Sequence, residues 1–542
     1  MAANPGTVQK QARFPVPMGG INTRDNVMSI GPEYGYVINN LLARPTGLEV
    51  RKGFTEWLPK TFSFPAEVRT MMYFSDPGNV NNRLFACPAE TNSPIYNVTT
   101  PNIDPVAPFV MGTGAFRPGE VSWVNTTTTA SAFLCVVNFG VGYFTYTVAA
   151  GWTKIADGNA AGQIFFEAGT VASDMLFCFT YKNRLWFLQA GKATAWYLPV
   201  NTVTGAAKKL ELGKFLTHGG GLAFATSWTY DAGSGMDDNL VFVGNNGDML
   251  IYQGSDPDTV ADFQIKGQWF IGRVPPGRRG FGQYGGDVLI ITEYGVVSVS
   301  DFVSGRITNP KDQSVVGGKF NPTLSRYVSD YITSYYWQLV SHPAEELIYI
   351  CSPSLEPIYN YEIGFSMGHF SKAWSTISGF PDHCVVEFNG RIFAGSVTGK
   401  VYQLFNGPKD NASYDSTVPG IEVTGTFQTG FSDLGSPSAN KRLQRIRLLG
   451  DADGIPSFLA YIRSEYDLSP GVVATPLITG SPSSWNVAQW DLATWQARSV
   501  TLRKWFGVAG FGKKLAVQVN VRGTGKTLLT DYEVTYEEGI GL

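Results

Sequence analysis

Charge is scarce in this chain of 542 residues: Lys, Arg, Asp and Glu together make up 16%, and the formal net charge is −3. A protein whose whole surface grips nucleic acid is usually strongly basic, so that class is excluded and only local basic patches stay open. Long apolar runs are missing as well. No window approaches the roughly 18 unbroken apolar residues of a membrane span, and the opening MAANPGTVQKQARFPVPMGG has no apolar core of a secretory leader. Neither membrane spanning nor signal-peptide secretion is expected, so the sequons at Asn97, Asn125 and Asn411 carry little weight. The five cysteines (Cys87, Cys135, Cys178, Cys351, Cys384) are odd in number and scattered, which excludes a disulfide framework and reads as small buried core residues. Four histidines (His218, His342, His369, His383) stand far apart with no ligand spacing, and there is no Gly-x-Ser-x-Gly elbow or HExxH. The expected catalytic, cofactor and metal residues are none.

What the chain does hold is turns and strands, with 61 Gly, 31 Pro and 13% aromatics. Residues 384–405, CVVEFNGRIFAGSVTGKVYQLF, pack three short apolar runs around Asn389-Gly390 and Thr398-Gly399. Asn-Gly suits a type I′ turn, whose two central residues need positive φ, so a three-stranded meander is predicted. Similar hairpins recur at 346–361, 287–300, 239–252, 183–198, 133–146 and 83–98. Their first strands begin near Leu84, Phe133, Leu185, Leu240, Val288, Leu347 and Ile392, a spacing of 45 to 59 residues. Runs such as Leu185-Trp186-Phe187-Leu188 are apolar on both faces, as blade strands between neighbouring blades are. The fold class expected is all-β: a β-propeller of seven blades, with six as the alternative, followed by a C-terminal β-sandwich or barrel.

Taken in order, residues 1–36 form an extended arm, 37–415 the propeller, and 416–542 the C-terminal domain, with strands near 421–427, 443–449, 457–463, 498–502, 515–521 and 531–536. Leu48-Glu-Val-Arg51 is expected to be a strand within the stretch that closes the ring. Residues 304–325 read as a projecting insertion, and 322–339 as the best helix candidate. Three loops tempt a chemical reading and have plainer ones. Arg522-Gly-Thr-Gly-Lys-Thr527 resembles a phosphate loop, but Asn520 stands where the pattern needs Gly, so a hairpin turn is expected. Asp451-Ala-Asp453-Gly454 and the acidic loop 231–239 read as turns ahead of calcium sites. Trp485, Trp490, Trp495 and Trp505 read as core ahead of a sugar platform.

Two stretches resemble tail proteins of short-tailed bacteriophages, of the tail nozzle or tail tubular protein B type. One is Gly19-Gly-Ile-Asn-Thr-Arg-Asp25 followed by Asn39-Asn40, Arg44-Pro45 and Glu49-Val-Arg-Lys-Gly53; the other runs from Trp505-Phe506-Gly507 through Gly523–Leu529 to Tyr536-Glu-Glu-Gly539. The resemblance implies a non-enzymatic virion protein assembled in the host cytoplasm. It implies a homohexameric ring beside the tail adaptor and portal, with fibres or spikes as further neighbours, and genomic DNA passing through its lumen without sequence-specific binding. Loops 273–279 and 304–325 are then candidates for a gate or a neighbour contact. The alternatives are a carbohydrate- or receptor-binding propeller, including a depolymerase, a head-completion plug of the same tail, and a scaffold propeller of cellular type.

Overall fold

The first strand of every predicted hairpin is present in the computed structural model, at Arg83–Pro88, Ala132–Asn138, Arg184–Gln189, Met236–Gly244, Asp287–Thr292, Leu347–Cys351 and Arg391–Gly395. Each is the second strand of an antiparallel sheet that opens with Val68–Phe74, Ser122–Thr127, Met175–Tyr181, Leu222–Asp231, Phe281–Tyr284, Gln338–His342 or Cys384–Phe388. The structure describes residues 9–105, 108–113, 120–231, 236–259, 261–306, 316–352, 363–415, 417–454, 456–467, 473–474, 499–523 and 525–539. The turn strand expected at 358–361 lies outside them.

Six of these sheets are self-contained blades; the one opening with Gln338–His342 is the end of a nine-stranded sheet that runs on into the C-terminal domain. Consecutive sheets share apolar cores, and the cores run round a closed circle. Trp57, Met72, Phe85, Phe144 and Phe393 belong to one, Cys135, Phe187 and Trp196 to the next, and Trp186, Phe242 and Ile290 to a third. Leu289 and Ile350 then share a core with the C-terminal domain, and Tyr349 with Ile392 returns to the start. The chain is a β-propeller. The two-sided apolar runs are the cause: Leu185 to Leu188 are all buried, because each blade is covered by a neighbour on both faces. At the predicted turn Asn389 and Gly390 have φ of 51° and 74°, as a type I′ turn requires.

The ring closes through Phe54–Glu56, which pairs antiparallel with Val401–Leu404. The expected closing strand does something else. Gly47–Val50 pairs with Leu41–Arg44 and with Thr527–Glu538, so residues 37–50, placed in the propeller by the sequence reading, belong with the end of the arm to the C-terminal sandwich. The local pattern marks a strand and cannot show its partner. The arm is ordered the same way, since Gln9–Pro15 lies antiparallel along Thr527–Glu538. One sandwich sheet is completed by Lys441–Asp453 with Ser499–Leu502 and Trp505–Gly512, the last unforeseen because its glycines interrupt the apolar run. The other holds Gly35–Asn39, Thr424–Thr429, Leu515–Arg522 and Ser457–Ser464, and meets the propeller where Asn39 bridges Thr376.

The helix is shorter than expected, Asn321–Asp330, and Gln338–His342 is strand. Of the expected insertion 304–325, residues 307–315 lie outside the described residues. Residues 304–306 are exposed, while 316–325 pack inward: Phe320 and Leu324, with Val328 beyond them, are buried with Leu289 and Val296, beside a blade that has three strands instead of four.

Candidate functional site

The segment that carries the resemblance near the N-terminus folds into the seam between propeller and sandwich, and Arg51 is its centre. Glu49 lies on a fully buried strand and Arg51 follows immediately, its side chain 0% exposed. All five of its N–H groups find acceptors. Nε donates to Asn40 Oδ1 (2.8 Å); Nη1 donates to Lys52 O and to Asp410 Oδ1 (2.7 Å); Nη2 donates to Ser378 O and to Asp410 Oδ2 (2.8 Å). The planar fork matches the Asp410 carboxylate in a bidentate pair, and the guanidinium lies 4.1 Å over the Phe380 ring. Asn40 (φ 55°) also accepts from Ser378 N and donates to Thr424 O, tying the blade of Trp374–Ser378 to the sandwich.

A second arginine repeats the device. Arg44 donates to Glu49 Oε2 (2.6 Å), Glu345 O (2.6 Å) and Glu345 Oε2 (2.5 Å), and Lys52 Nζ reaches Glu345 Oε1 at 2.5 Å. Glu345, 6% exposed, is held below the usual carboxylate range by these two cations, which overcome the burial that would raise it. Gly53 is required by contact: a Cβ there would stand 1.9 Å from Lys409 O. Gly20 at φ +91° would place one 2.6 Å from Trp374 N. Buried charges paired this fully fix one arrangement of two packed bodies, since breaking any pair strands the other charge.

The second concentration of polar groups is on the propeller axis. A cavity of about 30 Å³ is lined by Arg69, Thr70, Glu120, Arg278, Arg279 and Gln338 among others. With Val385 these come from the opening strands, or the segments leading into them, of five different blades, a set that meets only at the centre of the ring. Loop 273–279 supplies the plug. Arg278 Nη1 donates to Glu120 O across the ring at 2.8 Å, and Arg279 Nη2 donates to Trp123 O at 3.1 Å with its guanidinium 4.0 Å over the Trp123 ring. Burial pushes Arg279 down to about 10. Glu67 is held down to about 2 by its hydrogen bond to His383 and by Arg69, burial opposing.

The other residues singled out by sequence are dispersed. His218 Nδ1 sits 2.8 Å from Asp248 at the surface, His342 is buried and pushed down to about 4 by burial, and His369 packs on Tyr284. Among the described residues no three His, Cys, Asp or Glu side chains are placed to share a metal ion. All five cysteines are buried and unbridged, and burial raises Cys178 and Cys384 to about 12. The 522–527 stretch, of which residue 524 lies outside the described residues, stands between Leu515–Arg522 and Thr527–Glu538, and Asp451 accepts from Thr501 Oγ1 at 3.2 Å. In loop 231–239, residues 232–235 lie outside the described residues, and Asp238 pairs with Lys182 at 2.7 Å. Trp505 lies under Arg447 (4.6 Å), while Trp485, Trp490 and Trp495 lie outside the described residues. The sequence reads loop 273–279 as a candidate gate or neighbour contact, and nothing local in it shows that Arg278 and Arg279 turn inward to the axis.

No protein-family model matches the chain, and no curated protein matches it. Among solved structures it is similar to the WD40 β-propeller domain of Doa1 (10% identity, TM-score 0.37, covering 65% of this chain and 96% of that one). It is similar also to YCF48 from Cyanidioschyzon merolae (9%, 0.37, 65% and 98%) and to YCF48 bound to D1 peptide (8%, 0.35, 64% and 97%). Likeness at this level says nothing about activity, and the propeller rests on the strand pairing itself.

Proposed function

We propose that this chain is a structural protein of a short-tailed phage virion, a non-enzymatic tail nozzle that assembles as a homohexameric ring around the path of the genome. The observation that carries the reading is where the resembling segments meet. Residues 19–53 and 505–539 stand at opposite ends of the chain, yet Gly47–Val50 and Gln9–Pro15 pair with Thr527–Glu538, and Arg44, Asn40 and Arg51 lock that sandwich to two blades. A rigid two-body block of this kind suits a subunit that must hold its shape under load, and a head-to-tail interface between such blocks closes a ring without leaving a free face.

The axial plug adds a constraint. With Arg278 and Arg279 crossing the centre of each propeller, the genome passes between subunits and not through a propeller hole. Loop 273–279 is then a fixed part of the subunit and not the gate. A net charge of −3 suits a conduit, because many phosphate-neutralising contacts would retain DNA that has to move. The rival, a glycan-binding propeller with sugar on the axis, would have about 30 Å³ there, which is room for about two waters. Negative-stain microscopy of the purified full chain decides: sixfold annuli are expected, with a lumen wall that carries no continuous Lys/Arg stripe. A monodisperse monomer that binds on a glycan array would overturn the proposal.

A further inference from the structure

We propose that the axial cavity is a binding site for a small monovalent anion of chloride size, held by the arginine plug. The inference is independent of the virion reading. It starts from the charges that converge on the axis: Arg69, Arg278 and Arg279 against Glu67 and Glu120, with His383 beside Glu67. Both carboxylates lie within 4 Å of Arg69. Glu67 Oε1 accepts from Arg69 Nε at 2.6 Å and its other oxygen lies 3.1 Å from His383 Nε2, while Glu120 stands 3.9 Å from Arg69. Arg279 has no carboxylate within ion-pair reach among the described residues. Its partners are a carbonyl and an indole face, and the charge of the adjacent Arg278 guanidinium acts against its own. A buried cation in that position needs a counter-charge.

The cavity wall offers donors. Gln338 Oε1 is fixed by accepting from Val385 N (2.8 Å), which leaves the amide NH2 as its remaining group. Thr70 Oγ1 accepts from Val121 N (3.2 Å), so its own proton is available. Among the described residues the wall holds one acidic side chain, Glu120, against these donors and the Arg279 guanidinium. A volume of about 30 Å³ takes a halide ion and leaves no room for a phosphate monoester or a sugar. The Arg279 backbone is itself fixed, its carbonyl accepting from Leu339 N at 2.9 Å, so the charge cannot swing out to solvent cheaply.

The test uses the full-length protein. Unfolding is followed by tryptophan fluorescence in sodium chloride and in sodium gluconate at equal ionic strength, the gluconate anion being too large for the cavity. The apparent unfolding constant is expected to fall about tenfold for each tenfold rise in chloride above the dissociation constant, and this dependence is expected to vanish in Arg279→Gln. Because that variant can fail to fold, crystals of the unaltered protein soaked in bromide give a second readout: an anomalous peak among Arg279, Gln338 and Thr70. Equal stability in the two salts, an unchanged chloride dependence in Arg279→Gln, or bromide peaks confined to the outer surface would each overturn the proposal.

Discussion

Ring closure rests on three residues, and Phe54→Ala isolates them. Phe54 is 6% exposed and packs edge-on against Tyr402 (5.2 Å) and Phe380 (6.0 Å), while its backbone register pairs Phe54 with Leu404 and Glu56 with Tyr402. Truncating a buried Phe costs about 3–5 kcal/mol. Most of that loss falls on the clasp, because Phe54 is the large apolar anchor of Phe54–Glu56, which is otherwise held by polar contacts: Ala412–Ser413 on its far edge, Lys400 with Glu56, and Asn406 with Thr55. At about 3 kcal/mol the amides of Tyr402 to Leu404 should exchange with solvent about a hundredfold faster, measured by hydrogen-exchange mass spectrometry. Phe144→Ala removes an equally buried ring from a blade built of four consecutive strands, and should speed exchange there without touching 401–404. Protection at 402–404 that survives Phe54→Ala in a folded protein would refute the clasp. Phe54→Leu, which keeps most of the apolar volume, should give the same pattern with a smaller amplitude.

Gly53→Ala should destabilise by about 3 kcal/mol or more in chemical denaturation, since the new Cβ meets the Lys409 backbone on a seam that cannot yield; a neutral result would mean the seam is loose. Gly390→Ala should cost only about 1 kcal/mol, the penalty of a left-handed backbone at φ 74°, because nothing lies within 4 Å of the added carbon. Burial raises the Asp382 carboxyl from 3.8 to about 7, with the Tyr349 hydroxyl donating to it. A carboxyl raised on folding contributes stability below its unfolded value that is lost as pH climbs through about 7. The unaltered protein should therefore weaken between about pH 4 and pH 7 relative to Asp382→Asn in denaturant titrations, and parallel pH profiles would contradict this.

Much of the architecture was legible because blade strands are local objects. A turn such as Asn389-Gly390 and a two-sided apolar run such as Leu185 to Leu188 announce themselves within about a dozen residues, and their repetition at blade spacing needs no long-range information. The C-terminal strands were legible for the same reason, except Trp505–Gly512, where Gly507, Gly510 and Gly512 dilute the pattern. At the site the outcome differs. Asn40, Arg44, Arg51 and Gly53 were visible as members of a resembling segment, while their common role was invisible, since Asp410, Ser378 and Glu345 lie hundreds of positions away.

The sequence by itself determined that this is a turn-rich all-β chain built on repeated hairpins, with its cysteines in apolar runs and no membrane-length helix in view. Only the tertiary structure decided that residues 35–50 serve the sandwich, that Phe54–Glu56 closes the ring, and that Arg278 and Arg279 fill its axis. Strand formation follows from the period and shape of neighbouring side chains; partner choice and charge pairing depend on which distant surfaces are brought together, and no local pattern encodes that distance.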